Sequence, residues 1–418
     1  MSERKRIYLC LAHMSEAGLE QKYIKEAFDT NWVVPLGPNV NGFEKDLEEF
    51  VGQNKRVVAL SAGTAAVHLG LLACGVGPGD EVCVQSFTFC ASSHPITYLG
   101  ATPVFIDSEK DTWNMDPELL EEAIKDRIAR TGKKPKAIVP VALYGMPYKA
   151  DKIMEIANKY DIPVVEDAAE GFGSCFNGQV LGTFGKYGVL SFNGNKMITT
   201  SGGGALITAS GDEWREIMMY ATQYRESYPY YQHEKIGYNY RMSNICAGIG
   251  RGQMTVANDH IAHHKHVQKL YEELLKDVPG VHVHSQPATG EYDSNYWLCT
   301  ITIDTDLKIK GQENAYKAIV KGAVGGAAGV IHIADSATTD CQPNDNVEAL
   351  RVFMDAAGIE ARPVWKPMHK QPVYKNAPAY VNGVSEAMFK AGMCLPAGPY
   401  VSDEDVRYIV ETIKSAIV

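Results

Sequence analysis

No Cys-x-x-Cys pair occurs in the chain, and its nine cysteines are scattered and odd in number. Neither a disulfide framework nor a thiolate zinc site is indicated, and a reducing compartment, the cytoplasm, fits best. Long apolar runs are missing too. The most apolar windows, at 58–76 and 322–334, are interrupted by Ser, Thr, His and Gly or are too short to span a bilayer. Residues 1–12 carry basic side chains and then a short apolar stretch broken by Cys10, with no small-residue cleavage site, which predicts no signal peptide. Nor is there a long basic stripe. A net charge of −10 makes nucleic acid and anionic membranes poor partners, while leaving room for a local pocket for a small anion. With 45% hydrophobic, 22% charged and 9% aromatic residues the composition is that of a soluble globular protein, not a disordered or fibrous one. At 418 residues, two or three folding units are expected on a prior of roughly 150 residues each.

What is present is alternation. Short β-branched or apolar runs at 57–60, 81–85, 103–106, 137–141, 163–166, 189–192 and 205–208 predict strands. Segments 65–74, 92–99, 117–127 and 149–159 between them carry helical periodicity. The pattern predicts an α/β fold with a mostly parallel sheet and crossover helices, whose chemistry sits beyond the carboxyl ends of the strands. A long helix is expected over 247–276, leading into a smaller α+β domain at 277–418 with strands near 296–303 and 361–363 and a helix over 404–417. The first domain would then cover 1–276. A stretch rich in Gly, Ala and Thr at about 308–345 reads as an inserted excursion without assigned chemistry.

Three features fall at strand ends. Ser61-Ala-Gly-Thr64 follows a strand and opens a helix, so its N–H groups can bind a phosphate or simply begin a well-capped helix. Asp167, at the end of Ile162-Pro-Val-Val-Glu-Asp167, is a buried acid that needs a cationic partner or strong hydrogen bonds, or else a helix-capping aspartate. Ser191-Phe-Asn-Gly-Asn-Lys196 ends a strand in a small polar loop that presents one lysine, followed by Thr199-Thr-Ser-Gly-Gly-Gly204. A lone surface lysine is the ordinary explanation, but the glycines point to something approaching the backbone closely. Together the three meet the needs of pyridoxal phosphate: a lysine amine, an acid beside the pyridine nitrogen and an anion cradle. On the helix near residue 260, His260 and His264 stand four apart, at metal-ligand spacing, but no acid or cysteine completes a set. A solvated histidine-rich face is expected there, and no metal.

The chain resembles the DegT/DnrJ/StrS family of sugar aminotransferases, which have the fold type I architecture of aspartate aminotransferase. The resemblance covers almost the whole chain outside 308–345. It rests on Leu36-Gly-Pro38 with Phe43-Glu44, Ser61-Ala-Gly-Thr64, Phe87-Thr-Phe89, Glu166-Asp-Ala-Ala169, Ser191-Phe192 with Lys196, Gly237-Tyr-Asn-Tyr-Arg-Met242 and Gly358-Ile-Glu-Ala-Arg362. It implies that Lys196 holds pyridoxal phosphate as a Schiff base and later moves a proton, and that Asp167 pairs with the pyridine nitrogen. Gly63, Thr64 and Ser191 match the phosphate cradle, and Phe89 the aromatic residue stacked on the ring. Asn239 matches an asparagine that reaches the phosphate of a neighbouring subunit, which implies a homodimer with shared sites. Glu170 stands where many members have His or Gln facing the cofactor's 3-hydroxyl, and Ala142 where relatives often have His or Asp.

Within the family, Asn31-Trp-Val-Val-Pro-Leu-Gly-Pro-Asn39, Ser201-Gly-Gly-Gly204 and Arg362-Pro-Val-Trp-Lys-Pro-Met-His369 resemble UDP-N-acetylbacillosamine-type transaminases. Trp32 and Trp365 can stack on a sugar or base, and Arg225, Lys366 and His369 can pair with a diphosphate; each can equally be an ordinary surface or interface residue. The activity this implies is transfer of an amine from glutamate to C4 of a nucleotide-linked 4-keto-6-deoxy sugar, UDP-2-acetamido-2,6-dideoxy-4-keto-hexose first. GDP- or dTDP-linked sugars are the alternative, and a cofactor-binding regulatory protein without turnover is a more distant one. Dehydration, as in relatives that lack the lysine, is disfavoured by Lys196.

Overall fold

In the computed structural model, which describes residues 5–316 and 341–418, the alternating pattern folds into one continuous sheet built from two hydrogen-bonded halves. One half runs Arg56–Leu60, Gly204–Thr208, Tyr187–Ser191, Val165–Asp167. The other runs Ala379–Tyr380, Thr102–Ile106, Glu81–Gln85, Ala137–Val139. Parallel bridges Ile138↔Val164 and Val141↔Asp167 join the halves. Only Gly204–Thr208 runs against its neighbours, so the sheet is mostly parallel, as expected.

Both faces of such a sheet are covered, and its central strands are accordingly buried along nearly their whole length. Because successive side chains point to opposite faces, Val57 and Ala59 join one core, with Phe43, Leu47 and Phe192, while Val58 and Leu60 join another, with Leu69, Val84 and Phe105. The helix Gly63–Ala73 is apolar almost all round and lies buried on the second face.

The C-terminal part contributes a second, antiparallel sheet in the order Val281–Val283, Cys299–Ile303, Gly392–Leu395, Arg362–Pro363. The helices Asp345–Ala356 and Asp403–Ala416 pack on it around a core of its own that includes Tyr271, Leu350 and Ile409. Ser402 and Asp405 form a capping box at the start of the last helix.

Two expectations need correction or restriction. The single long helix expected over 247–276 is two, Asn244–Met254 and Ala257–Leu275. The break falls at Thr255 and Val256, β-branched residues with low helix propensity, and the Thr255 hydroxyl donates back to Gly252 O at 2.6 Å. Of the excursion expected at 308–345, residues 317–340 lie outside the described residues. Its near flank is tied down by the bridge Ile309↔Ile417, and Tyr316 OH donates to Pro343 O at 2.7 Å.

Candidate active site

Five strand ends of the large sheet open toward one cavity of about 380 Å³. Its walls carry Gly63, Thr64, Phe89, Asp167, Glu170, Ser191, Lys196 and Trp365, so eight of the thirteen residues singled out in the sequence meet there. Asn239, Trp32, Arg225, Lys366 and His369 are not among the lining residues.

Glu166 and Asp167 end the same strand and, being neighbours, face opposite ways. Glu166 turns into the protein, where its oxygens accept N–H bonds from Gly182 and Phe184 at 2.7 Å and Gly185 at 2.9 Å. Asp167 turns to the cavity. Its Oδ2 accepts from Ser92 Oγ at 2.6 Å and its Oδ1 from Ala169 N at 3.2 Å. Among the described residues no lysine or arginine forms an ion pair with it. Burial pushes its pKa up, opposed by the Ser92 and Ala169 hydrogen bonds and by Lys196. A buried carboxylate held this way at a cavity wall is completed by a cation from outside the chain.

Lys196 follows the strand Tyr187–Ser191 on a tight loop whose backbone is closed by Lys196 N donating to Asn193 O at 3.0 Å and Thr200 N to Phe192 O at 2.9 Å. Its Nζ lies 3.5 Å from Glu170 Oε1 and 4.1 Å from the centroid of Trp297. Burial raises the pKa of Glu170, with Lys196 opposing; its other oxygen accepts from Tyr144 N at 2.7 Å. Trp297 is itself tied to the lysine loop, Nε1 donating to Asn195 O at 2.7 Å.

The helix Gly63–Ala73 begins without any side-chain cap, which leaves its first N–H groups free to meet an anion. The backbone is packed closely against the neighbouring strands there. A Cβ on Gly63 would lie 2.9 Å from Ser191 Cβ, and one on Gly204 would lie 2.4 Å from Gly63 N. The uncapped helix start, the desolvated acid without a cation and the half-buried lysine match the phosphate, ring nitrogen and carbonyl carbon of pyridoxal phosphate.

Phe89 stands at the rim, 48% exposed, with its ring 5.3 Å from that of Trp365. His369 is turned away, its Nδ1 2.7 Å from Ser86 Oγ. Arg225 is exposed and lies over the Tyr231 ring. Asn239 is exposed, bridged to Thr222.

The histidine-rich face expected to be solvated is partly buried instead. His260 Nδ1 pairs with Met197 O at 3.1 Å and His264 Nδ1 with Tyr296 O at 3.1 Å, so the two anchor the backbone beside Lys196 and beside Trp297. The helix Ala257–Leu275 runs under the site, and packing rather than solvent occupies this face. Among the described residues no group of three or more His, Cys, Asp or Glu can hold a metal ion. Sequence reasoning missed Ser92, Tyr144 and Trp297. Nothing local marks them, because each gains its meaning from a partner on a distant segment.

The model of the DegT/DnrJ/EryC1/StrS aminotransferase family matches residues 15–328 and 329–414. The chain is 41% identical to EpsN of Bacillus subtilis (strain 168) over 98% of its length and 95% of that protein's. It is 33% identical to the GDP-perosamine synthase of Escherichia coli O157:H7, covering 97% of this chain and 98% of the relative. A DegT DnrJ EryC1 StrS aminotransferase from Brucella abortus has the same fold, with a TM-score of 0.81 at 28% identity over 96% of this chain and 95% of that one. With its cavity fitted to pyridoxal phosphate and its sequence matched from end to end of the described sheet, the chain belongs to the DegT/DnrJ/EryC1/StrS family of pyridoxal phosphate-dependent sugar aminotransferases.

Proposed function

We propose that the protein moves the amino group of glutamate to C4 of a nucleotide-linked 4-keto-6-deoxy sugar, with UDP-2-acetamido-2,6-dideoxy-4-keto-hexose as the acceptor. The observation that carries this reading is the convergence of Lys196, Asp167 and the uncapped helix start at Gly63 on one cavity with an aromatic rim. When bound there, pyridoxal phosphate supplies an aldehyde carbon that captures the amine and a ring that takes up the electron pair released at the substrate carbon.

The chain's own residues do the rest. Lys196 Nζ would hold the cofactor through its carbonyl carbon, and its free amine would carry a proton at the substrate carbon. Glu170, 3.5 Å from Nζ, keeps the released amine beside the site. Asp167, its oxygens fixed by Ser92 and Ala169, holds the proton at the pyridine nitrogen. Gly63, Thr64 and Ser191, which line the cavity, would hold the phosphate, and Phe89 at the rim would stack on the ring. Trp297 and Trp365 narrow the cavity on the acceptor side and restrict water. Lys366, Arg225, Trp32 and His369 remain candidates for the nucleotide, in a second copy of the chain or in a closed form. Asn239 faces outward, in keeping with a homodimer in which it serves the neighbouring cavity. Nine unpaired cysteines fit the cytoplasm.

The test is absorbance of the cofactor-loaded protein. Loss of the visible band with glutamate and its return with the UDP-linked keto sugar, with the 4-amino sugar seen by mass spectrometry, is the expected result. A second reading, a GDP-linked 4-keto sugar, is favoured by the likeness to GDP-perosamine synthase, and return of the band with that sugar alone would establish it. No response to glutamate would leave a cofactor-binding protein without turnover.

A further inference from the structure

Tyr144 belongs to neither the cofactor set nor the acceptor set above, yet it touches both. It lies on the short turn Leu143–Gly145 with φ 54, a left-handed backbone that is costly for an aromatic residue. The turn is held from several sides. Ser174 Oγ and Ser294 Oγ both donate to Gly145 O, at 2.7 and 3.0 Å, and the Gly145 position is packed so closely against Asn295 that no Cβ fits.

The strained backbone aims Tyr144 N at Glu170 Oε2, 2.7 Å away, and Glu170 Oε1 in turn faces Lys196 Nζ. At its other end the buried Tyr144 hydroxyl accepts from Trp365 N at 2.7 Å, close to the Cys394 thiol. Both of those residues belong to the C-terminal part. Its ring lies nearly parallel to Trp297 and Trp365, at 18° and 20° with centroids 6.4 and 6.1 Å away, and Trp365 meets Phe89 at the rim. A line of contacts thus runs from the lysine to the acceptor side of the cavity through a single residue.

We infer that Tyr144 is a positioning residue that ties the segment carrying Trp365 to the Lys196–Glu170 pair and thereby sets the affinity for the acceptor sugar, an inference that rests on the aminotransferase reading for its acceptor. Only the hydroxyl hydrogen-bonds to Trp365, whereas the backbone N–H serves Glu170. Tyr144→Phe therefore cuts the line at one bond and leaves the turn and the ring stack in place.

Two measurements decide it. In the full chain without cofactor or substrate, hydrogen exchange at the Trp365 amide should become at least tenfold faster in Tyr144→Phe, while the amides of 143–146 stay within twofold. In the loaded enzyme, KM for the keto sugar should rise about fivefold, the factor corresponding to one neutral hydrogen bond of ~1 kcal/mol, while kcat falls less than twofold. In a Trp365→Leu background, Tyr144→Phe should add no further change in KM. An unchanged Trp365 amide, or an equal effect of Tyr144→Phe with and without Trp365, would overturn the inference. If no keto sugar is turned over by the unaltered enzyme, the functional reading fails, and the exchange measurement still decides the tie between Tyr144 and Trp365.

Discussion

Lys196, Asp167 and Gly63 do different physical work, and each is exposed to a different test. Lys196→Ala removes the only amine among the described residues lining the cavity, so cofactor retention through a covalent bond should vanish and turnover should fall by at least about 10³-fold, as seen by dialysis and steady-state assay. Normal turnover in that variant would end the assignment of the lysine. Asp167→Asn keeps the shape but removes the charge proposed to hold the ring nitrogen's proton, so kcat should drop roughly 10² to 10⁴-fold with the cofactor still bound. Gly63→Ala places a Cβ 2.9 Å from Ser191 Cβ beside the proposed phosphate position, and the cofactor should dissociate about tenfold more readily. At this scale the sequence was most informative where a residue's chemistry and its strand-end position coincide, as for Lys196 and Asp167. It was silent about Tyr144 and Trp297, whose roles come from partners over a hundred positions away, Trp365 for one and Asn195 for the other.

The element whose behaviour differs most from its sequence pattern is the helix Ala257–Leu275. Four histidines in seven residues look solvated, but the face that bears His260 and His264 is turned onto the lysine loop and the Trp297 segment. Burial pushes the His264 pKa down to about 3 and that of His284, stacked on Trp113, down to about 4, from an ordinary value of 6.5. Both are depressed in the folded state, so the unfolded chain binds more protons as the pH falls. Their stabilisation is full above about pH 6.5 and declines as the pH drops from there toward 3 to 4, by about 2 kcal/mol for each histidine near pH 5. Thermal melts should therefore show the melting temperature falling between pH 7 and 5. His264→Gln, which can keep a donor to Tyr296 O without titrating, should flatten that slope; an unchanged slope would show that other groups govern it.

On the scale of the whole molecule, the large sheet and the small antiparallel sheet are not independent bodies of sequence. The strand Ala379–Tyr380, from the C-terminal part, pairs in parallel with Thr102–Ile106 and closes an edge of the large sheet. We propose a division between the two parts near residue 276, crossed by this strand, by the pairing of Tyr292–Asp293 with Cys175–Phe176 and by Ile7, which bridges to Ile359 and joins the C-terminal core. No helix among the described residues is long and apolar enough to cross a membrane. Trp32, Val33, Val34 and Leu36, on one short segment, are nevertheless 39% to 53% exposed, an apolar stretch that a second copy would cover in the proposed homodimer. Sedimentation should show a dimer, and mixing Lys196→Ala with Asn239→Ala protomers should restore activity that neither has alone. Absence of any recovery would separate Asn239 from the neighbouring cavity.

The sequence by itself determined the α/β class, the places of most strands along the chain, and the acid and lysine at strand ends. These follow from local rules: alternation of side chains along a strand, the 3.6-residue period of helices, and the cost of burying a charge without a partner. Only the tertiary structure decided which face of the 257–275 helix is dry, where the helix before it breaks from it, and that Tyr144 joins Glu170 to Trp365. Those outcomes depend on contacts between segments far apart in the chain, and no local pattern carries the distance between two side chains that meet only after folding.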